Sequence, residues 1–260
     1  MKWIMKACLA LVALLLYMWR NAFRSNLVRK TVEICSVRGF RPFQLLFIAD
    51  IHRRKLKTKE FNLPIDCIII GGDLTERGVP LSRIEHNLKI LSSRAQVYFI
   101  WGNNDRESGE FKLRKLFDRY GIVVLDNESV QLFEEPHLRL AGSDHFLYDP
   151  FGLEKTFSQV KQEDTVIFVS HTPFVFGRVR ESYPVDFMLA GHTHGGQIRL
   201  GKLGVFKKGS LQKKEGTPQL ITNGFGTTAL PLRLGAQAEY HLLLIKARKQ
   251  KDFPGWQKCR

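Results

Sequence analysis

The chain has 260 residues, 44% of them hydrophobic and 25% charged, which is room for one large domain with a good core and a short appendage. That balance excludes a disordered or low-complexity chain, and the four cysteines show neither metal-ligand spacing nor a disulfide framework. The net charge of +15 draws anionic partners, membrane or nucleic acid, without choosing between them.

From the amino terminus, Trp3 to Trp19 is apolar apart from Lys6, with its strongest run over residues 7–18. A membrane span takes about 20 apolar residues, so the run is short, and a signal peptide is its rival. Met18-Trp19-Arg20-Asn21 offers no small-x-small cleavage site, and Trp3, Tyr17 and Trp19 suit a membrane interface. Residues 1–20 therefore read as a hydrophobic membrane segment. Arg20, Arg24, Arg29 and Lys30 outweigh Lys2 and Lys6, which favours a membrane-associated protein with its large domain in the cytoplasm. Residues 21–42 form a basic linker that opens an edge strand over 31–37. The main domain covers 43–246, and 247–260 is a basic tail.

Within the domain, apolar runs at 43–49, 67–70, 97–101 and 165–169 predict buried strands, and 186–190 a fifth. Leu81, Ile84, Leu88 and Leu91 recur at helical spacing behind Pro80, predicting a helix over 81–93. A second helix fits 110–120, stopping at Gly121. Short strands are expected at 122–125, 130–133 and 138–141, a short helix near Phe157 and Val160, and later strands at 197–205, 219–221 and 239–246. The first half alternates strands and helices while the second is mostly strands.

Each buried run ends in a metal-liganding motif: Asp50-Ile51-His52, Gly71-Gly72-Asp73, Gly102-Asn103-Asn104-Asp105, Ser170-His171, and Gly191-His192-Thr193-His194. Ligands of open α/β sheets gather outside the carboxyl ends of the strands, so Asp50, His52, Asp73, Asn103, His171, His192 and His194 should converge. A lone His or Asp at a strand end is ordinarily a turn residue; seven together make a dinuclear metal centre. Imidazole and carboxylate suit Mn, Fe, Zn or Co over Ca or Mg. Asp73, the lone carboxylate of a central motif, is the natural bridge between two cations.

The ordered set D-x-H, G-D, G-N-x-D, H and G-H-x-H resembles the calcineurin-like metallophosphoesterase family over roughly residues 43–246. Gly191-His192-Thr193-His194-Gly195-Gly196-Gln197 and the later stretch 224–228 with Pro231, Arg233 and Glu239 look like its bacterial membrane-anchored branch. The resemblance implies an α/β fold, a four-layer α/β/β/α sandwich of two mixed sheets flanked by helices. It implies two divalent metal ions, with Mn favoured: one on Asp50, His52, Asp73 and His194, the other on Asp73, Asn103, His171 and His192. It further implies a metal-dependent phosphohydrolase in which a metal-bridging hydroxide attacks phosphorus.

One motif departs from the family, which carries His where this chain has Asn104. That imidazole helps protonate the leaving oxygen, help worth roughly 10²–10⁴-fold for a poor leaving group. An amide has no titratable proton but still donates to a phosphoryl oxygen. An alkyl monoester suffers most from the loss and a pyrophosphate or aryl diester, whose leaving group is a weaker base, suffers least; phosphodiesters or pyrophosphates, lipid-linked ones included, are the favoured substrates beside the membrane segment. Asn104 and Asp105 are thus the candidate catalytic pair, Asp105 anchoring the loop. Arg53, Arg54 and Gln197 are candidate substrate-binding residues beside the metal motifs.

Nucleic acid is the alternative partner and would make the chain a nuclease; a non-catalytic membrane scaffold that lost the family histidine is the other rival. His86 reads as a surface residue, His137 as a loop residue, Asp144 and His145 as a turn, and Phe146, Tyr148 and Phe151 as core. Oligomeric state is not legible.

Overall fold

The computed structural model describes residues 1–144 and 151–249; the expectations for His145, Phe146, Tyr148 and the tail beyond 249 fall outside them. A long helix α1 (Lys2–Ala22) leads into two six-stranded mixed sheets.

The first sheet takes β1 (Asn26–Ser36), β2 (Phe43–Ile48), β3 (Cys67–Ile70), β4 (Gln96–Phe99), β5 (Val123–Val124) and the final strand β12 (Glu239–Lys249). Its order is β1-β12-β2-β3-β4-β5. Strands β2 to β5 run parallel, while β12 is antiparallel to β2 and parallel to β1. Consequently β1 starts at the end of the sheet where β2, β3 and β4 finish, and α1 joins the domain at that same end. The second sheet holds β6 (Glu128–Gln131), β7 (Leu138–Ser143), β8 (Thr165–Ser170), β9 (Phe187–Ala190), β10 (Ser210–Lys214) and β11 (Thr217–Ile221) in the order β10-β11-β9-β8-β7-β6.

Side-chain alternation along the buried strands separates two cores. Leu46, Ile48, Ile68, Ile70 and Phe99 face helices α2 (Leu81–Ser92) and α3 (Glu110–Arg119), meeting Ile84, Leu88, Leu91, Leu113 and Phe117. Their neighbours Leu45, Phe47, Ile69 and Ile100 face the second sheet, against Leu140, Ile167, Val169 and Leu189. The outer face of that sheet, through Val166, Phe168 and Met188, packs on α4 (Gly152–Phe157) and α5 (Phe176–Ser182). Each fully buried aliphatic or aromatic side chain here contributes about 1.5–3 kcal/mol relative to exposure. The result is the expected layering of helix, sheet, sheet and helix.

Four elements depart from the sequence reading, one of them β10, a strand not expected at all. β1 begins at Asn26, inside the expected linker, because it pairs with β12 along its whole length. Residues 197–205 are no strand: after the 3₁₀ turn His194–Gly196 they form a loop with isolated bridges. The helix α5 carries too short a pattern to be read beforehand. Cys8 is an exposed free thiol and Cys67 a buried one.

Candidate metal centre

The ends of β2, β3, β4, β8 and β9 converge, and the backbone turns sharply within a few residues of the ends of β2, β3 and β9. Asp50, His52, Asp73, His192 and His194 all have positive φ, between 49° and 69°. L-residues with side chains adopt this region at a cost of order 1–3 kcal/mol each, sustained by the packed strands behind them. The reversal tips each side chain off the strand end into a common space. Glycines make room for it: a Cβ on Gly102 would sit 2.2 Å from Asp73 Oδ1, and one on Gly72 2.4 Å from His171 Nδ1.

All seven predicted ligands meet there. His52 Nε2 lies 3.2 Å from His194 Nε2 and 3.7 Å from Asp73 Oδ2. His194 Nε2 is 3.5 Å from Asp50 Oδ1. On the other side, His171 Nε2 lies 3.4 Å from the same Asp73 Oδ2, 3.2 Å from Asn103 Oδ1 and 3.2 Å from His192 Nδ1. Asp73 Oδ2 is therefore shared by two clusters, one on each side.

The donor chemistry of the clusters calls for cations. His171 Nδ1 donates to the Gly71 carbonyl at 2.9 Å, so in the neutral ring Nε2 presents a lone pair. His52 Nδ1 faces Glu76 Oε2 at 2.9 Å, which turns its Nε2 inward in the same way. Around His171, ring nitrogen and amide or carboxylate oxygen then face one another at 3.2–3.4 Å, a set that a bound cation would satisfy, while His194, whose Nδ1 accepts from Arg233, turns its Nε2 toward His52 Nε2 at 3.2 Å. The protonation balance agrees. Burial alone would lower the His171 pKa, yet the Asp73 and Asp50 carboxylates push it up to about 9. Burial would raise Asp73, but the His171 and His52 imidazoles hold it well below the usual carboxylate range. Asp50, wholly enclosed, is pushed up to about 6 by burial. His194 moves the other way, far below its ordinary value, through burial beside His52 and the Arg233 guanidinium.

Asn104 directs both its amides at the shared carboxylate: Nδ2 donates to Asp73 Oδ2 at 2.7 Å and the backbone N–H to Oδ1 at 2.9 Å. Buried Asp105 accepts backbone N–H bonds from Gly102, Asp73 and Thr75 at 2.7, 2.9 and 3.1 Å, tying the β3 and β4 loops together. Burial raises its pKa to about 7, with the neighbouring Asp73 charge adding to the effect.

The residues expected to hold substrate are placed differently. Arg53 pairs with Glu76 and donates to the Arg77 carbonyl, with its side chain largely exposed. Arg54 turns away from the clusters: its guanidinium donates to the carbonyls of Ala22, Arg24 and Phe225 and to Ser25 Oγ, and stacks 4.2 Å from the Phe225 ring. It caps the carboxyl end of α1. Gln197 spends its side chain on the backbone of Thr228 and Leu230.

Elsewhere, Asp144 forms a two-toothed pair with Arg106 at 2.6 and 2.9 Å, His137 contacts Asp164, and His86 contacts the Leu56 carbonyl. Phe151, expected in the core, is 59% exposed because it precedes α4 at the surface.

Two supporting residues escaped the sequence reading in their roles. Glu76 stands three positions after Asp73 in a loop, and no local pattern marks it as the partner of His52. Arg233 is fully buried and donates to the carbonyls of Asn223, Gly224, Gly226, Ala236 and His194 while lying 3.3 Å from His194 Nδ1. One guanidinium thus holds the 223–236 loop against the His194 turn.

Two sheets, flanking helices and a convergent Asp/His/Asn cluster at the strand ends define a metal-dependent phosphoesterase. The calcineurin-like phosphoesterase family model matches residues 43–196, and the chain belongs to that family. It is 36% identical over 242 residues to the Bacillus subtilis uncharacterized protein YpbG, covering 91% of this chain and 93% of that one. Similarity extends to the Escherichia coli phosphodiesterase YaeI, 29% identical over 178 residues, 63% of this chain and 64% of the relative. A Bos taurus transmembrane protein with a metallophosphoesterase domain is 27% identical over 204 residues, 70% of this chain and 46% of the relative.

Proposed function

We propose that this phosphoesterase is a membrane-associated dinuclear enzyme that cleaves phosphodiesters or pyrophosphates, lipid-linked ones included. The observation that carries it is Asp73 Oδ2, which stands 3.7 Å from His52 Nε2 in one cluster and 3.4 Å from His171 Nε2 in the other. Asp50, His52, Asp73 and His194 would hold one divalent cation, and Asp73, Asn103, His171 and His192 the second. Manganese is favoured by the mixed imidazole, carboxylate and amide set. Two such ions would neutralise phosphoryl oxygens and lower the pKa of a shared water.

The chain's own residues set the reaction's preference. Asn104 holds an amide N–H at the carboxylate that both clusters share, where it can donate to a phosphoryl oxygen but cannot deliver a proton to a leaving alkoxide. Esters whose leaving group is a weak base are therefore its substrates. Asp105 keeps that loop in place through three backbone bonds. The name of the YaeI relative, a phosphodiesterase, agrees with this preference. Membrane association is supported by α1, 21 residues long with a mean hydropathy of 1.6 and only 6% of its apolar window buried. The basic residues after it favour a cytoplasmic domain.

The test is hydrolysis by the detergent-solubilised full chain loaded with Mn²⁺, comparing bis-p-nitrophenyl phosphate with the p-nitrophenyl monoester. Faster diester turnover that Asp73→Asn abolishes is the expected result. Faster monoester turnover overturns the diester preference, and turnover indifferent to Asp73→Asn overturns the site.

A further inference from the structure

Beside the metal clusters the surface changes character. Leu200, Leu203 and Val205 are 70%, 75% and 83% exposed, on the loop that the sequence presents as a strand. This loop is built rather than slack. Leu200 and Leu203 exchange two backbone bonds of 3.0 Å, closing a tight tip. Beneath it, buried Arg199 donates to the carbonyls of Lys202, Phe206 and Gly195. The protein thus buries a guanidinium in order to hold leucines and a valine outward.

Contacts run from the tip in two directions. Phe206 lies 6.2 Å from the exposed Phe174 ring, itself 6.0 Å from the His192 imidazole. In the other direction the Arg199 N–H bonds the Leu234 carbonyl, and the adjacent Arg233 N–H bonds the Met18 carbonyl of α1. The projecting loop, the mouth of the metal centre and the foot of α1 therefore form one continuous face. Lys202, Lys207 and Lys208 stand exposed on the same loop. An apolar tip flanked by lysines matches an anionic bilayer, apolar groups entering the acyl boundary and ammonium groups meeting the headgroups.

We propose that the 198–206 loop inserts into the membrane beside α1 and turns the metal-centre mouth toward the lipid–water interface, so that substrate phosphates are taken from the bilayer surface. The inference rests on the membrane attachment argued above and adds a second contact and an orientation to it. A second copy of the chain is the competing occupant, and the experiment separates it.

A diazirine amino acid is placed at Val205 in the full chain and, in a second protein, at Val37. Val37 is 56% exposed and apolar too, but follows β1 at the opposite end of the sheet. Both proteins are reconstituted into phosphatidylcholine–phosphatidylglycerol vesicles, recovered by flotation and irradiated. The expected result is a lipid adduct yield at position 205 about tenfold that at 37, as for a side chain inside the acyl boundary. Floating protein with equal yields overturns the loop contact and leaves membrane attachment standing. Crosslinking of 205 to a second chain overturns it in favour of an interface between copies. Protein that fails to float removes the attachment and this inference together.

Discussion

In the proposed reaction Asn104 sets which esters the site cleaves best, and its neighbours hold the site together. Replacing Asn104 by His supplies the titratable donor at the Asp73 carboxylate, so Asn104→His should raise turnover of the p-nitrophenyl monoester and diester alike, within the roughly 10²–10⁴-fold reach of general-acid help. Alkyl monoesters, whose leaving oxygen is more basic, should gain more. Steady-state kinetics on the three esters checks it. Glu76 acts one step back. It faces His52 Nδ1 at 2.9 Å, so Glu76→Gln should weaken metal binding about 10–100-fold by loosening the ring, read by titration with a chromophoric Mn²⁺ competitor. Gly102 leaves no such margin. The 2.2 Å approach of an added Cβ to Asp73 Oδ1 means Gly102→Ala should lose bound metal by elemental analysis while its far-ultraviolet circular dichroism stays native.

At the scale of elements, the joint between the 223–226 segment and β12 is electrostatic. Glu239 Oε1 accepts from the backbone and side-chain N–H groups of Asn223, both at 2.9 Å, and His241 Nε2 lies 3.4 Å away. Burial would raise the Glu239 pKa, but His241 and Asn223 outweigh it and hold the carboxyl below its ordinary value. A carboxyl depressed in the folded state adds stability above its unfolded pKa and loses it as pH falls through the folded one. Glu239→Gln should therefore lower the unfolding free energy from urea titration at neutral pH by about 1–3 kcal/mol, as for a charged hydrogen-bonded group. Wild type and variant should converge in strong acid; a gap that persists there counts against the charge.

The same scale shows what the sequence could and could not tell. The strand ends were legible because four-to-seven-residue apolar runs, each closed by a His, Asp or Asn motif, have few other folds to join. Helices α2 and α3 were legible from their apolar stripes. Residues 197–205 misled because Ile198 with Leu200, and Leu203 with Val205, each give the two-residue spacing of a half-buried strand, while the structure turns those side chains to solvent. Arg54 misled by position: it follows His52 by two residues, yet the backbone turn sends it to α1. Glu76 and Arg233 act through contacts that only the assembled loops create.

For the molecule as a whole, metal and fold are one equilibrium. The ligands come from both sheets, β2, β3 and β4 in one and β8 and β9 in the other, so cations bound between them bind only the folded chain. Ion at a hundred times its dissociation constant stabilises by about 2.7 kcal/mol per site, which in a domain of this size is roughly 5–10 °C in Tm. Chelation of the Mn²⁺-loaded protein should lower Tm by that amount, and re-addition should restore it, in a differential scanning experiment. A Tm indifferent to chelator would mean the sheets hold together without help from the site.

The position of β12 has a consequence in time. It lies between β1 and β2, pairing with both, although nearly the entire domain separates it from them along the chain. As the ribosome delivers the chain, α1 emerges before β1, and both are out while β1 still lacks its neighbour. The first sheet is complete only after synthesis has passed residue 249, and pairings this distant are slow to form. Until then β2 presents an open apolar edge, and on the proposed membrane attachment that edge waits beside a lipid surface.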